Sequence, residues 1–267
     1  MSTAVHTAHH NDAVKGLGRA GMACYGVVYV IVAYLALQVA FGGGGQEADQ
    51  TGALQEIAST SFGAVVLWVL AVGLLAFGVW QLLMAAFSYK WHEEGRKRTF
   101  KRIGAAVRGF VGISLGIAAI RTATGSGTQS GDQKQKQMTA ELMALPAGRV
   151  IVGLLALVVI GAGIASIVSG FRKSFMKDLE TSQLPKSHWV ERLGQVGYIA
   201  KGLGIAIVGV LLGFAALDAN ASEAGGLDSA LRTLADQPFG TVLLVVVAAG
   251  FASFGIYAIA AAKAHRT

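Results

Sequence analysis

Leu17-Gly18-Arg19-Ala20-Gly21 opens an apolar run that continues through Tyr25, Gly26 and Tyr29 to Phe41. At about 1.5 Å of rise per residue, a helix of this length crosses a bilayer core of about 30 Å. The opening then returns twice. Ile103-Gly104 with Gly112 repeats Leu17-Gly18 with Gly26, and Leu193-Gly194 with Gly197 and Gly202 repeats it again. Each opening run leads through a polar loop to a second apolar run. The second runs begin at Phe62-Gly63, Ala147-Gly148 and Phe239-Gly240. Gly78, Gly163 and Gly255 each fall fifteen residues after those marker glycines. The chain reads as three copies of a hairpin of membrane helices.

Repeat 1 spans 16–90, with apolar segments at 20–41 and 62–88. Repeat 2 spans 91–172, with segments at 103–123 and 147–171, and repeat 3 spans 173–267, with segments at 193–217 and 239–262. None alternates with a period of two, so a membrane barrel is not supported. The expected fold is an all-α integral membrane protein of six transmembrane helices. Each repeat crosses the membrane an even number of times, so successive copies enter from the same side. Parallel repeats of this kind predict a pseudo-threefold bundle about an axis along the membrane normal. Gly112 with Gly116, and Gly209 with Gly213, lie on first helices of their repeats. Such spacing lets helices approach closely, and it nominates the first helices as an inner ring.

Composition agrees with a membrane location. The chain has 267 residues, 54% hydrophobic and only 14% charged, against about 25% charged in soluble domains. Mean hydropathy is +0.56. The 36 glycines sit mostly inside the apolar runs. Cys24 is the single cysteine, which excludes an internal disulfide and a cysteine metal site.

The net charge of +7 does not point to nucleic acid, because the basic residues sort by topology. With the N-terminus, the 89–102 and 172–192 loops and the C-terminus on one side, that side and its adjoining helix ends hold 17 of the 22 Lys and Arg. The positive-inside rule then places both termini in the cytoplasm of a bacterial inner membrane. Trp91 and Trp189 fall at that boundary. Met1 to Ala13 lacks an apolar stretch after a basic start, so no cleavable signal peptide is expected. Residues 1–15, with His6, His9 and His10, read as a disordered cytoplasmic tail.

The outer loops carry apolar residues at helical spacing. Leu54, Ile57 and Ala58 form one stripe, and Leu227, Leu231 and Leu234 another. Asp49–Thr60, Lys134–Leu145 and Gly226–Gln237 read as short interfacial helices across the outer face. Re-entrant segments are the alternative. Gly42 to Gly45 and Gly125-Ser126-Gly127 are flexible joints and do not match a phosphate-binding loop.

The thrice-repeated opening, Leu17-Gly18-x-x-Gly21, Ile103-Gly104 and Leu193-Gly194-x-x-Gly197, resembles a bacterial membrane family known as domain of unknown function twelve-oh-six. The resemblance covers about 16 to 262. It implies the architecture and the membrane location, and it brings no activity, cofactor or catalytic residue. The middle copy departs from the pattern, with Val107 where the others have Gly21 and Gly197. That departure predicts a looser helix crossing in repeat 2.

Ionisable groups at membrane depth are costly and mark sites. Lys201 lies about 12 Å into its segment at 1.5 Å per residue. In the repeat register it matches Tyr25 and Val111. Gln81, Ser166 and Ala258 match one another on the return helices. Tyr25, Lys201, Gln81 and Ser166 are therefore the candidate pore or ligand residues, forming a polar ring that faces a cytoplasmic vestibule. The bland alternative is that Lys201 snorkels to the inner headgroups. Arg108 is read as snorkelling, and Arg121 as interfacial. Arg96, Lys97, Arg98, Lys101 and Arg102 are candidate contacts for anionic lipid headgroups, or simply set the topology.

No Asp or Glu falls within the six segments, which weakens a proton- or cation-coupled transporter. No cluster suits a metal or cofactor, and no nucleophile, base and acid share one depth, so the sequence does not read as an enzyme. His92 and His188 sit in the two cytoplasmic loops and make no site. Two functions remain. One is a pore, channel or transporter along the bundle axis, with Lys201 and Tyr25 near its inner mouth. The other is a non-catalytic accessory or lipid-binding subunit of a larger membrane complex or homo-oligomer.

Overall fold

The protein is seen in a computed structural model that describes residues 12–43, 45–87, 96–126, 129–178 and 187–262. Most of the N-terminal tail, Trp91 and His92 lie outside the described residues, as do the side chains of Arg96, Lys97, Arg98 and Lys101.

The helices are α1 (Asp12–Ala40), α2 (Gln50–Ala58), α3 (Gly63–Phe87), α4 (Arg96–Ala123), α5 (Gly131–Met143), α6 (Gly148–Phe171), α7 (Ser187–Asp218), α8 (Leu227–Ala235) and α9 (Gly240–Ala262). Short 3₁₀ turns occupy Ser174–Asp178 and Ala221–Glu223. Six helices, α1, α3, α4, α6, α7 and α9, are long and apolar enough to cross a membrane. The other three, α2, α5 and α8, cap one end of the bundle. The basic run Arg96 to Arg102 is the first two turns of α4 and not a loop. Nothing between Arg96 and Gly104 breaks a helix, and Lys and Arg are good helix formers.

The marker glycines have one physical cause. A Cβ on Gly63 would lie 2.1 Å from the Ile57 carbonyl oxygen, one on Gly148 2.2 Å from that of Leu142, and one on Gly240 1.9 Å from that of Ala235. Each spanning return helix starts against the last turn of its cap helix, where no side chain fits. The turn forces a left-handed backbone on Ala147 (φ 61°) and Phe239 (φ 63°) just before it.

The most extensive interfaces join one repeat to the next: α3 to α4, α6 to α7, and α9 back to α1. All three cross at equivalent glycines. A Cβ on Gly78 would meet the Gly109 carbonyl oxygen at 2.8 Å, and one on Gly112 would meet the Gly78 Cα at 3.0 Å. Gly163 and Gly202 oppose each other at 2.7–2.8 Å, and Gly255 and Gly26 at 2.6 Å. Glycine lets these backbones touch, the close packing that holds helices together in lipid. The first helices therefore pack against return helices of neighbouring repeats and do not form an inner ring of their own.

Within a repeat, α1 packs on α3 and α7 packs on α9, but α4 and α6 of the middle repeat are not among the packed pairs. The sequence explains the difference. In the first repeat Gly21 lies against the Gly73 carbonyl oxygen and Phe77, and in the third Gly197 lies against Phe254. The middle repeat has Val107 at this position, 56% exposed. The facing residue also changes: Phe77 and Phe254 are 3% and 4% exposed, whereas their counterpart Ala162 is exposed. The spanning helices thus run α4–α3–α1–α9–α7–α6, and the two ends of this row, α4 and α6, are left with an unpacked seam.

The cap helices hold one another through buried carboxylates. Asp132 on α5 accepts from the Gly226 N–H at 2.7 Å, the Ser229 N–H at 3.1 Å and the Ser229 hydroxyl. Asp228 on α8 accepts from the Ala48 N–H at 2.8 Å and pairs with Arg232 at 2.7 Å. Asp49 caps α2 by accepting from the Gly52 N–H at 2.7 Å. It also packs on α5, where a Cβ on Gly131 would collide with its carboxylate. Each cap is thereby fastened to the next repeat.

Candidate functional site

Lys201 sits on the face of α7 that looks into the bundle. Its neighbours three or four residues on, Gly204, Ile205 and Val208, continue that face. The ammonium donates to the Tyr25 hydroxyl at 3.2 Å, and the Tyr25 hydroxyl lies 3.3 Å from that of Tyr29. Gln50, from cap helix α2, donates to Tyr29 at 3.3 Å. Three rings surround the ammonium: Phe254 at 4.4 Å, Tyr29 at 5.1 Å and Tyr25 at 5.2 Å from their centroids. A cation in apolar surroundings gains from such ring faces what it has lost in hydration.

The rings themselves form one cluster. Tyr25 stacks on Phe77 with centroids 5.2 Å apart, and Tyr29 meets Phe254 edge-on at 4.7 Å. Tyr198 and Phe175 extend it toward the side opposite the caps. This cluster occupies the space between α1, α3, α7 and α9.

A cavity of about 200 Å³ lies between Lys201 and the cap helices. Tyr29, Gln50, Lys201, Gly204, Ile205, Val208, Leu227 and Phe251 line it. Its direction differs from the expected cytoplasmic vestibule: Gln50 and Leu227 are cap residues, so the space opens from Lys201 toward the capped end. Its polar groups are an ammonium, a phenol and an amide, and no carboxylate is among its lining residues. Arg108 on α4 is near enough to act electrostatically on both Lys201 and Tyr25. The Arg108 side chain is half-buried.

The polar ring expected from the repeat register is brought together in half. Lys201 and Tyr25 touch. Gln81 is buried on α3 and Ser166 half-buried on α6, and among the described residues no hydrogen bond joins either to Lys201. Of the basic candidates, Arg102 is described: it donates to the Ala85 and Ala86 carbonyls at 2.5 and 3.0 Å, closing the last turn of α3. Tyr29, Gln50 and Phe254 belong to the site and escaped the sequence reading. Tyr29 was visible as the residue one helical turn beyond Tyr25, whereas Gln50 comes from a cap whose placement no periodicity reveals.

The cap side has its own electrostatics. Burial, reinforced by Glu47 and Asp132, pushes the Asp49 carboxyl up to about 7 against the lowering effect of the Gly52 and Thr51 N–H groups. The pairing with Asp228 holds the Arg232 guanidinium above its ordinary value.

A family model described as "Domain of Unknown Function (DUF1206)" matches the chain at residues 20–88, 103–173 and 196–265. The chain is also similar to "Uncharacterized protein YxxB" of Bacillus subtilis (strain 168), with 30% identity over 248 residues, covering 92% of this chain and 89% of that protein. No solved structure matches.

Proposed function

The chain belongs to the DUF1206 family, a family described as of unknown function, and from the site alone we propose that it is a membrane-embedded binding protein that holds an anionic group at Lys201 beneath the cap helices. The observation that carries this reading is the ammonium at the wall of a cavity whose other polar groups are hydroxyl and amide. Among the described residues, no carboxylate lines the cavity to neutralise it. A buried charge without a counter-charge is costly, and a bound anion relieves that cost.

The pore reading needs a continuous path of polar or small residues. The rings of Tyr25, Tyr29, Phe77 and Phe254 fill the bundle at the level of Lys201, which favours holding a ligand over conducting one. Placement of the caps on the outer face of a bacterial inner membrane, with both termini cytoplasmic, follows from the distribution of Lys and Arg and forms part of the proposal.

The test uses purified protein in uncharged detergent. Thermal unfolding is followed with phosphate, sulfate and short carboxylates at constant ionic strength, beside Lys201→Met. At least one anion raises the melting temperature of the parent and leaves that of Lys201→Met unchanged. If no anion separates the two proteins, the reading is wrong. Anion flux in liposomes that Lys201→Met abolishes would move it to the pore.

A further inference from the structure

The cavity at Lys201 is walled by repeats 1 and 3 and their caps, and no residue of α4 or α6 lines it. The middle repeat contributes no wall to it. There the two faces that are buried in the other repeats stand open. On α4, Val107 and Val111 are 56% and 39% exposed. On α6, Leu155 and Val158 are 41% and 67% exposed, and Ala162 is exposed with them. The equivalents of Ala162 are Phe77 and Phe254, and Phe254 is the ring that stands 4.4 Å from the Lys201 ammonium. Where a third ring would complete the enclosure, the chain carries a methyl group. The open seam therefore reaches the depth of Lys201, for Val111 is its counterpart in the repeat register.

Resting on the reading of Lys201 as an anion site, we infer that the ligand is a long single-chain lipid carboxylate, of the fatty-acid class. Its head lies at Lys201 and its chain in the seam between α4 and α6. The chemistry of the two parts matches. The Lys201 ammonium, with Tyr29 and Gln50 as the neutral polar groups of the cavity wall and Arg108 within electrostatic reach, suits a compact carboxylate head. Gln50 and Leu227 cover the cavity on the cap side, so an amphiphile enters sideways from the bilayer. The seam faces are wholly apolar at these positions, as an acyl chain requires. A cavity of about 200 Å³ is small for a double-chain phospholipid held by its whole head.

The experiment places the full chain in phosphatidylcholine nanodiscs with a palmitate that carries a photoactivatable diazirine on its chain. Labelled peptides are mapped by mass spectrometry. Labelling of α4 near Val107 and Val111, and of α6 near Val158 and Ala162, is expected. Excess palmitate should suppress it, and methyl palmitate, which lacks the charge, should not. Lys201→Met should reduce the competable labelling at least tenfold. Ala162→Phe, which restores the ring of the other repeats, should do the same while leaving the short-anion stabilisation intact. If short anions still act through Lys201 but seam labelling is not competed by palmitate, or Ala162→Phe changes nothing, the lipid inference fails and the anion site stands. If Lys201→Met alters neither labelling nor anion stabilisation, both fail. A cross-link between two copies through cysteines placed at Val107 and Val158 would show that a second chain fills the seam and would overturn the lipid.

Discussion

The Lys201 ammonium donates to the Tyr25 hydroxyl at 3.2 Å across 176 positions of sequence, joining the third repeat to the first inside the bundle. The bond sets up two opposite expectations. Tyr25→Phe removes a buried hydroxyl and leaves the ammonium with one partner fewer, at a cost of about 1–2 kcal/mol. Lys201→Met keeps the length of the side chain and removes the unneutralised charge, so the empty protein should be as stable as the parent or more so. Chemical unfolding in detergent measures both. A Lys201→Met variant much less stable than Tyr25→Phe would make the lysine a structural residue.

Gly163 and Gly161 are neighbours with different surroundings. A Cβ on Gly163 would stand 2.7 Å from the Ala206 backbone nitrogen, whereas one on Gly161 meets nothing within 4 Å. Gly163→Ile should therefore cost about 1–3 kcal/mol by forcing α6 from α7. Gly161→Ile should be close to neutral. Melting temperatures of the two variants in one detergent decide the point, and equal losses would contradict the close crossing.

Asp132 gathers the Gly226 N–H, the Ser229 N–H and the Ser229 hydroxyl on two oxygens. Asp132→Asn turns one of those oxygens into a donor facing donors. The expected loss is about 2–3 kcal/mol, as for bonds to a charged group. Hydrogen exchange should localise it, with faster exchange at Gly226 and Ser229 and little change at the Gly163 crossing.

Asp49 gives the protein a pH dependence. Its carboxyl is pushed up to about 7 by burial, while an unfolded aspartate titrates near 3.9. Between these values the folded state holds the extra proton, so stability falls as pH rises from about 4 to about 7. Asp49→Asn keeps a side-chain oxygen to accept the Gly52 N–H and removes the titration. The melting temperature of the parent should decline from pH 5 to pH 8, and that of Asp49→Asn should decline less. Parallel curves would refute the assignment.

How far the sequence reveals this molecule depends on which contacts are periodic. The marker glycines, Gly63, Gly148 and Gly240, are legible because the same backbone contact recurs in each hairpin. The departure at Val107 is legible for the same reason, since a repeat supplies its own comparison. Helix rotation is not legible: Val107 and Arg108 are adjacent on paper, yet Val107 is 56% exposed and Arg108 half-buried. Register fixes depth and not direction. Lys201 and Tyr25 share depth and face, whereas Gln81 and Ser166 share only depth with them. Gln50 and the cap aspartates Asp132 and Asp228 were beyond reach because hydrogen bonds made by a cap leave no apolar pattern.

The crossing of Gly26 with Gly255 fastens the first spanning helix to the last. During synthesis α1 emerges long before α9 exists, and its glycine face waits while four further spanning helices are made. The aromatic cluster stays incomplete in that interval, because Phe254 arrives with α9 and meets Tyr29 and Lys201 only then. Assembly is thus all but indivisible: a chain stalled before α9 has two of its three inter-repeat crossings and no enclosed lysine. An incomplete chain leaves the Gly26 face of α1 uncovered, and a finished one closes it with Gly255 and Ile259.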